Sequence, residues 1–171
     1  MGTTTKWAID PTHSEIGFKV KHLVISTVSG NFNKFEGSLT SANEDFSDAE
    51  IEFSADVDSI NTNQADRDGH LKSPDFFDAG NHPKISFKSK SFKKTSGNDF
   101  VLNGDLTIRG TSKNVSLAAE FGGVTKDPWG NTKAGFEISG KINRKDYGVG
   151  GSSISLSNTV KINLNVIANL Q

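Results

Sequence analysis

The chain has 171 residues, with 19 Lys+Arg against 20 Asp+Glu for a formal net charge of -1, and no cysteine. Near-neutrality leaves no global field to recruit nucleic acid or an anionic membrane, and the missing thiols exclude disulfides, thiol catalysis and Cys-ligated zinc. Hydrophobic residues make up only 33% of the chain, with 12 Phe among them, and no apolar run is longer than Leu23-Val24-Ile25, far short of a membrane-spanning helix.

Met1-Gly2-Thr3-Thr4-Thr5-Lys6 lacks the apolar stretch of a signal peptide. It starts like a myristoylation site, but Lys6 stands where Ser or Thr is required. The segment reads as a polar tail. The chain as written reads as cytoplasmic, and an exported protein without its signal would look the same.

From there the sequence alternates. Ile16, Phe18 and Val20 interleave with Glu15, Gly17, Lys19 and Lys21. Ala49, Ile51, Phe53, Ala55 and Val57 interleave with acidic and small polar residues. Phe100, Leu102, Leu106 and Ile108 share one face, as do Val115, Leu117, Ala119 and Phe121. Phe136, Ile138 and Ile142 follow, and then Val160, Ile162, Leu164, Val166, Ala168 and Leu170. This period of two predicts antiparallel strands with one wet side. Turn signals are read at Ser29-Gly30, Ser96-Gly97-Asn98, Gly110-Thr111-Ser112-Lys113 and Asp127-Pro128-Trp129-Gly130-Asn131. Asn103-Gly104 resembles a hairpin signal, yet the apolar phase runs through it, which predicts one strand with a bend or bulge at Gly104. The strands are about 8–12 residues long against a usual 5–6. Open edges of that length invite aggregation, so closure is expected: an all-β, closed antiparallel β-barrel of about eight long strands, forming a single domain over 1–171.

Residues 64–72 do not alternate. They predict a short helix stopped before Pro74, with Leu71, Phe76 and Phe77 anchoring it on the barrel as a capping segment. Within this stretch, Gln64 to Asp75 half-matches a calcium loop, but Gln64 and Asp75 replace the first and last ligands, and acids at a helix start explain it better.

An eight-stranded barrel is either filled or holds one small ligand. Small residues on the apolar faces (Gly37, Ala49, Ala55, Gly104, Gly140 and Ala168) mark either corner bends or room for a ligand. A cavity there would be almost wholly apolar. His22 and Arg144 continue the inward phases of their strands to a rim. They either hold a ligand's polar head or are solvated at an open barrel end. His13, His22, His70 and His82 form no HxH or HExxH pattern. A composite metal site would need His13, His22 and a carboxylate to converge. Gly148-Val149-Gly150-Gly151 reads as a mobile loop at the rim. Lys88, Lys90, Lys93 and Lys94, with Phe87 and Phe92, read as a solvated strand face protected by Lys; the alternative is transient contact with an anionic membrane.

Several ordered clusters carry a resemblance. They are Trp7-Ala8-Ile9-Asp10-Pro11-Thr12-His13-Ser14, Ile16 to His22, Val28 to Phe32, Asp58 to Thr62, Arg67 to Ser73, Asp75 to Asp78, His82 to Ser89, Gly104 to Gly110, and Asn143-Arg144-Lys145-Asp146-Tyr147-Gly148. The set resembles the YceI-like family, also called polyisoprenoid-binding, over nearly the whole chain. His82 departs from the Tyr usual before Pro83. The resemblance implies a lipocalin-like barrel with a long-chain amphiphile, such as a polyisoprenoid or isoprenoid quinone, in an internal tunnel. It implies no catalysis and no cofactor or metal, and it is compatible with a homodimer. On this reading Phe18, Val20, Phe53, Val57, Phe87, Leu102, Leu106, Phe136, Ile138 and Leu164 line the tunnel. His22 and Arg144 sit near the polar head, and Tyr147 and the helix around His70-Leu71 cap a mouth. Two other readings stand beside binding, storage or transport of a lipid: an enzyme acting on an isoprenoid lipid in the same cavity, and a stress-related barrel with a filled core and surface partners only.

Overall fold

The computed structural model describes residues 4–43, 45–151 and 153–171; the start of the polar tail, Met1-Gly2-Thr3, lies outside them. The alternating segments form strands β1 (Thr5–Ile9), β2 (Glu15–His22), β3 (Ser26–Phe32), β4 (Phe35–Ser41), β5 (Glu50–Asp56) and β6 (Ile60–Asn61). After helix α1 (Ala65–Leu71) come β7 (Lys84–Ser96), β8 (Asp99–Ile108), β9 (Thr111–Lys126), β10 (Thr132–Asn143) and β11 (Leu156–Leu170). No helix among the described residues is long and apolar enough to cross a membrane.

β1 closes the barrel. Trp7 pairs with Leu39 of β4 on one side and with Leu170 of β11 on the other, so the antiparallel ring runs β1-β4-β5-β7-β8-β9-β10-β11 and returns to β1, eight strands in all. β2, β3 and β6 extend that ring at one end. β2 lies beside β11 with Val20 opposite Val160, β3 beside β2, and β6 beside β3. At this end α1 and the turns after it pack over the opening: Phe77 meets Phe32 edge-on at 6.2 Å, and Arg109 at the end of β8 reaches Pro74.

The opposite half of the barrel is filled by aromatic rings. Phe46 packs on Trp7 (5.4 Å), Phe121 (5.3 Å) and Phe136 (5.5 Å), and Phe92 stacks on Phe100 at 4.4 Å. Each such pair adds about 0.5–1.5 kcal/mol beyond area burial. Five of the 12 Phe, namely Phe46, Phe92, Phe100, Phe121 and Phe136, thus fill this solid half.

The phase argument at Asn103-Gly104 holds. β8 runs unbroken from Asp99 to Ile108, and the irregularity lies in β7, where Lys90 is extra between Ser89 and Ser91. Gly104 is required there because a Cβ would stand 2.6 Å from the Phe87 ring. Ser29-Gly30, expected to turn, instead lies inside β3, with Gly30 opposite Phe18 and leaving room for its ring. The chain actually reverses at Leu23-Val24-Ile25, with Leu23 at φ 53° and Val24 at φ 65°. Apolar residues in that conformation carry no turn signature.

The basic run is largely neutralised by acids on neighbouring segments: Lys88 pairs with Glu52 (3.7 Å), Lys90 with Asp105 (3.5 Å) and Lys93 with Asp48 (3.6 Å). In the calcium-loop half-match, Asp68 is committed to Thr62, accepting from its backbone N (2.8 Å) and its hydroxyl. His13 precedes β2 and His22 is its last residue, so the two stand at opposite ends of that strand. Among the described residues no three His, Cys, Asp or Glu side chains gather as a metal site.

Asp10, where β1 gives way to β2, accepts from His13 Nδ1 (2.8 Å), Lys133 Nζ (3.2 Å) and the Thr12 backbone N (3.0 Å). The His13 hydrogen bond, followed by those from Lys133 and Thr12, holds its carboxyl well below the ordinary 3.8 against the opposing cost of burial. A lowered folded-state pKa means that the stabilisation is complete above the unfolded value and is lost as pH falls below it. Asp10→Asn is expected to lower the urea midpoint at pH 7 and to converge on wild type as pH drops below 3.8. Equal destabilisation at all pH values would show that the carboxylate charge plays no part.

Candidate ligand cavity

The half of the barrel extended by β2, β3 and β6 holds an apolar cavity of about 120 Å³. Its inner wall is buried: Phe53 from β5, Leu106 from β8 and Leu164 from β11. Towards the barrel end its lining is half-buried at Leu71, Phe77, Ile142, Leu156 and Val160, so this end is the mouth. A second apolar cavity of about 30 Å³ lies deeper, bordered by Phe136, Ile138 and Phe92. Phe53 and Leu164 border both cavities and form the partition between them.

Among the described residues, two side chains on the larger cavity carry polar atoms, Arg144 and Tyr147. Both come from one short 3-10 turn, Arg144–Tyr147, entered where the Asn143 side chain accepts from the Lys145 backbone N and left through Gly148 at φ 73°. Arg144 is 4% exposed. Its Nε donates to Ser157 O (2.9 Å), Nη1 to Val149 O (3.0 Å) and Gly150 O, and Nη2 to Ser153 O (2.9 Å) and Leu156 O (3.0 Å). A guanidinium has five N–H donors, and all five are taken by backbone carbonyls. Burial pushes its pKa down, but an Arg stays charged in proteins. It pairs with no carboxylate among the described residues. The expected head-group contact is thus unavailable to its N–H groups. Arg144 instead ties the loop from Val149 to Ser157 onto the barrel end, so the glycine-rich segment read as mobile is anchored, and Val149 becomes cavity wall.

Tyr147 is 3% exposed, and its Oη has no hydrogen-bond partner among the described residues. Burial, and then the charge of Asp146, pushes its pKa up to about 12, so the hydroxyl is a neutral donor throughout the biological range. An unpaired buried hydroxyl costs roughly 1–3 kcal/mol. Arg109 spans the mouth beside it, donating to Gly148 O (3.3 Å) and Pro74 O (2.7 Å).

Phe18, Val20, Phe53, Leu71, Leu106, Arg144, Tyr147 and Leu164 line the larger cavity, and Phe136 and Ile138 line the smaller. Four nominated residues border neither. Val57 leaves the alternation because β5 ends at Asp56 and a 3-10 turn begins. Phe87 stacks behind Phe53 (5.1 Å) and covers Gly104. Leu102 is fully buried between Phe92 and Leu117. His22 pairs with Ser26 and Leu156 where the register of β11 breaks between Leu156 and Val160, and it stays half-exposed at the rim. Gly37, Gly104 and Gly140 do not open space for a ligand. The side chains of Ile9, Phe87 and Leu117 respectively fill it.

Sequence reasoning missed Ile142, Val160 and Ile162, which share the inward phase of Ile138 and Leu164 and were findable on that ground. It also missed Phe32, Val149 and Leu156. Val149 sits among glycines and carries no periodic signal.

The YceI-like domain family matches residues 7–168. A UPF0312 protein of Photorhabdus laumondii is 42% identical over 135 residues, 79% of this chain and 70% of that protein. A protein YceI of Escherichia coli is 38% identical over 137 residues, 80% of this chain and 71% of that one. Among solved structures, the Campylobacter jejuni YceI protein superposes with a TM-score of 0.79 at 37% identity, covering 87% of this chain and 88% of that one. A polyisoprenoid binding domain from Saccharophagus degradans shares the fold, with a TM-score of 0.75 at 14% identity over 96% of this chain and 98% of that one.

Proposed function

This chain belongs to the YceI-like family, and from that membership we propose that it binds the hydrocarbon chain of a long amphiphile, of isoprenoid type, in the barrel cavity, with Tyr147 Oη donating a hydrogen bond to the ligand's oxygen. The observation that carries this reading is the pairing, among the described residues, of an otherwise apolar lining with one uncommitted buried hydroxyl. The polyisoprenoid-binding neighbour with the same fold supports the ligand class. Binding rather than catalysis suits the lining: its polar side chains are a saturated guanidinium and a phenol whose pKa is raised, with no nucleophile–base pair between them.

A cavity of about 120 Å³ is smaller than the roughly 150 Å³ of an engineered apolar cavity that takes up benzene. A long chain therefore enters only if the wall moves. Displacing the Phe53 ring or the Leu164 side chain joins the two cavities into one tunnel, and the half-buried residues at the mouth provide the entrance.

Tyr147→Phe is the test. It is expected to weaken binding of geranylgeraniol about tenfold, the worth of one net hydrogen bond. It should leave binding of the hydrocarbon squalene unchanged and thermal stability equal or higher, since an unsatisfied hydroxyl is removed. Isothermal titration of both ligands checks this. Equal losses for the alcohol and the hydrocarbon would remove the hydrogen bond from the account.

A further inference from the structure

The hairpin that joins β2 to β3 carries three apolar side chains into solvent: Leu23 is 59% exposed, Val24 86% and Ile25 88%. Ile154, 101% exposed, stands on the adjoining loop, which is held to the hairpin by Leu23 N donating to Ser155 O at 2.8 Å. Leu23 and Val24 hold positive φ angles that favour Gly or Asn, and Val24 is β-branched. A hairpin needs neither the strain nor the exposed apolar groups, because Asn-Gly would turn it at less cost.

Behind this tip lies a band of lysines. Lys19, Lys161 and Lys141 sit directly opposite one another on the three adjacent strands β2, β11 and β10. Like charges in opposed positions repel. Lys21 is one step nearer the tip on the same face, and Lys145 is on the 3-10 turn at this end. All five are exposed, and none makes an ion pair among the described residues. This contrasts with the Lys88 run, three of whose members are matched by acids. Asp146 is the acid beside Lys145. Of the other acids near this end, Asp58 lies on the turn after β5, Asp66, Asp68 and Asp78 lie on and after α1, and Asp75 adjoins the Gly150 loop, its backbone O accepting from Gly150 N at 2.9 Å while its side chain faces His70 at 3.7 Å. Lys19 is about 10 Å behind His22 at ~3.3 Å per residue, a depth suited to phosphate groups when the tip reaches the acyl boundary.

We propose that this tip and its lysine band dock the barrel on an anionic lipid bilayer, with Leu23, Val24, Ile25 and Ile154 seated at the headgroup–acyl boundary and Lys19, Lys141 and Lys161 on lipid phosphates. The occupant follows from the charge. A second copy of the chain meeting this face across a twofold axis would set the same unpaired lysines against themselves, whereas an anionic surface neutralises them. The docked face also adjoins the cavity mouth, since Val20 and Leu156 lie on the same segments and line the cavity. This rests on the reading of the cavity as a lipid site and places the mouth where lipid is exchanged.

The test is co-sedimentation of the full chain with vesicles of phosphatidylcholine alone or mixed with phosphatidylglycerol, alongside geranylgeraniol titration in solution. Wild type is expected to sediment with the mixed vesicles, less so as salt screens the charges, and weakly with phosphatidylcholine. Val24→Asp/Ile25→Asp, and separately Ile154→Asp, should reduce partition about tenfold or more while geranylgeraniol binding is unchanged, which also shows that the barrel is folded. Lys19→Gln/Lys141→Gln/Lys161→Gln should reduce partition onto the mixed vesicles on the order of 100-fold, from roughly fivefold per lysine near an anionic surface. The proposal is overturned if wild type does not sediment with the mixed vesicles, if the tip variants sediment as well as wild type, or if the tip instead drives vesicle-free self-association that the Asp variants abolish. Vesicle binding without geranylgeraniol binding would retain the docking face and remove the cavity reading, and the converse would do the opposite.

Discussion

Arg144→Ala is expected to lower stability by about 3–5 kcal/mol, because it leaves five backbone carbonyls of the Val149–Ser157 loop without their donor. For a chain of this size that corresponds to a fall in melting temperature of roughly 6–20 °C. Arg144→Lys is expected to rescue little, since an ammonium with three donors cannot span five acceptors. Ligand affinity should fall with stability, because Val149 and Leu156 lose their place in the cavity wall. Thermal unfolding monitored by circular dichroism, with titration of geranylgeraniol, separates the roles. A variant as stable as wild type but unable to bind would restore Arg144 as a head-group contact and contradict the geometry of its five bonds.

Leu164→Ala is expected to have two effects of different kind. Leu164 is 2% exposed, and removing its side chain should cost about 2–5 kcal/mol through lost burial and the space left behind. It also opens the partition between the larger and smaller cavities, so the preferred ligand should lengthen, from farnesol towards geranylgeraniol and solanesol. Native mass spectrometry of the variant offered these alcohols together reads the ranking directly. A destabilised variant with the wild-type ranking would show that Leu164 does not limit chain length. Gly140, although inward in phase, is no substitute site for this test, because any added side chain meets Leu117 before it reaches the cavity.

The strands were legible in the sequence because half-buried sheet imposes a period of two, and that period survives local exceptions. The phase of Phe100, Leu102, Leu106 and Ile108 correctly overrode the Asn103-Gly104 turn signal. The helix was legible from the loss of alternation and from Pro74; it runs Ala65–Leu71. Closure was legible only as an argument from strand length. That β1 would be shared between β4 and β11 has no local signature, since it is decided by pairing across the whole chain. Turns built from glycine were found at Gly97 and Gly110. The one built from Leu23-Val24 was not, because apolar residues at positive φ carry no turn signature.

The site was legible by face but not by depth. Alternation tells which side chains point inward, and so found Phe18, Phe53 and Leu164. It does not tell how far along the barrel the packing is solid, so Phe87 and Leu102 were placed with the lining although both belong to the packed interior. Arg144 was correctly placed inward, but its partners are backbone carbonyls of a loop, which any sequence could supply. Tyr147 gave only its position near a mouth. That its hydroxyl is left unpaired among the described residues depends on the positions of neighbouring donors and acceptors, which have no sequence signature.

Uptake of the chain of an oxygen-bearing isoprenoid lipid by the barrel is the event on which the proposed function rests. Its most direct measurement is native mass spectrometry of protein stripped of lipid by organic-solvent wash, refolded, and titrated with geranylgeraniol and with an isoprenoid quinone. The expected result is a one-to-one complex with at least one of them, and a weaker complex for Tyr147→Phe. A folded barrel that forms no complex with either would contradict the account and leave a filled core with surface partners only.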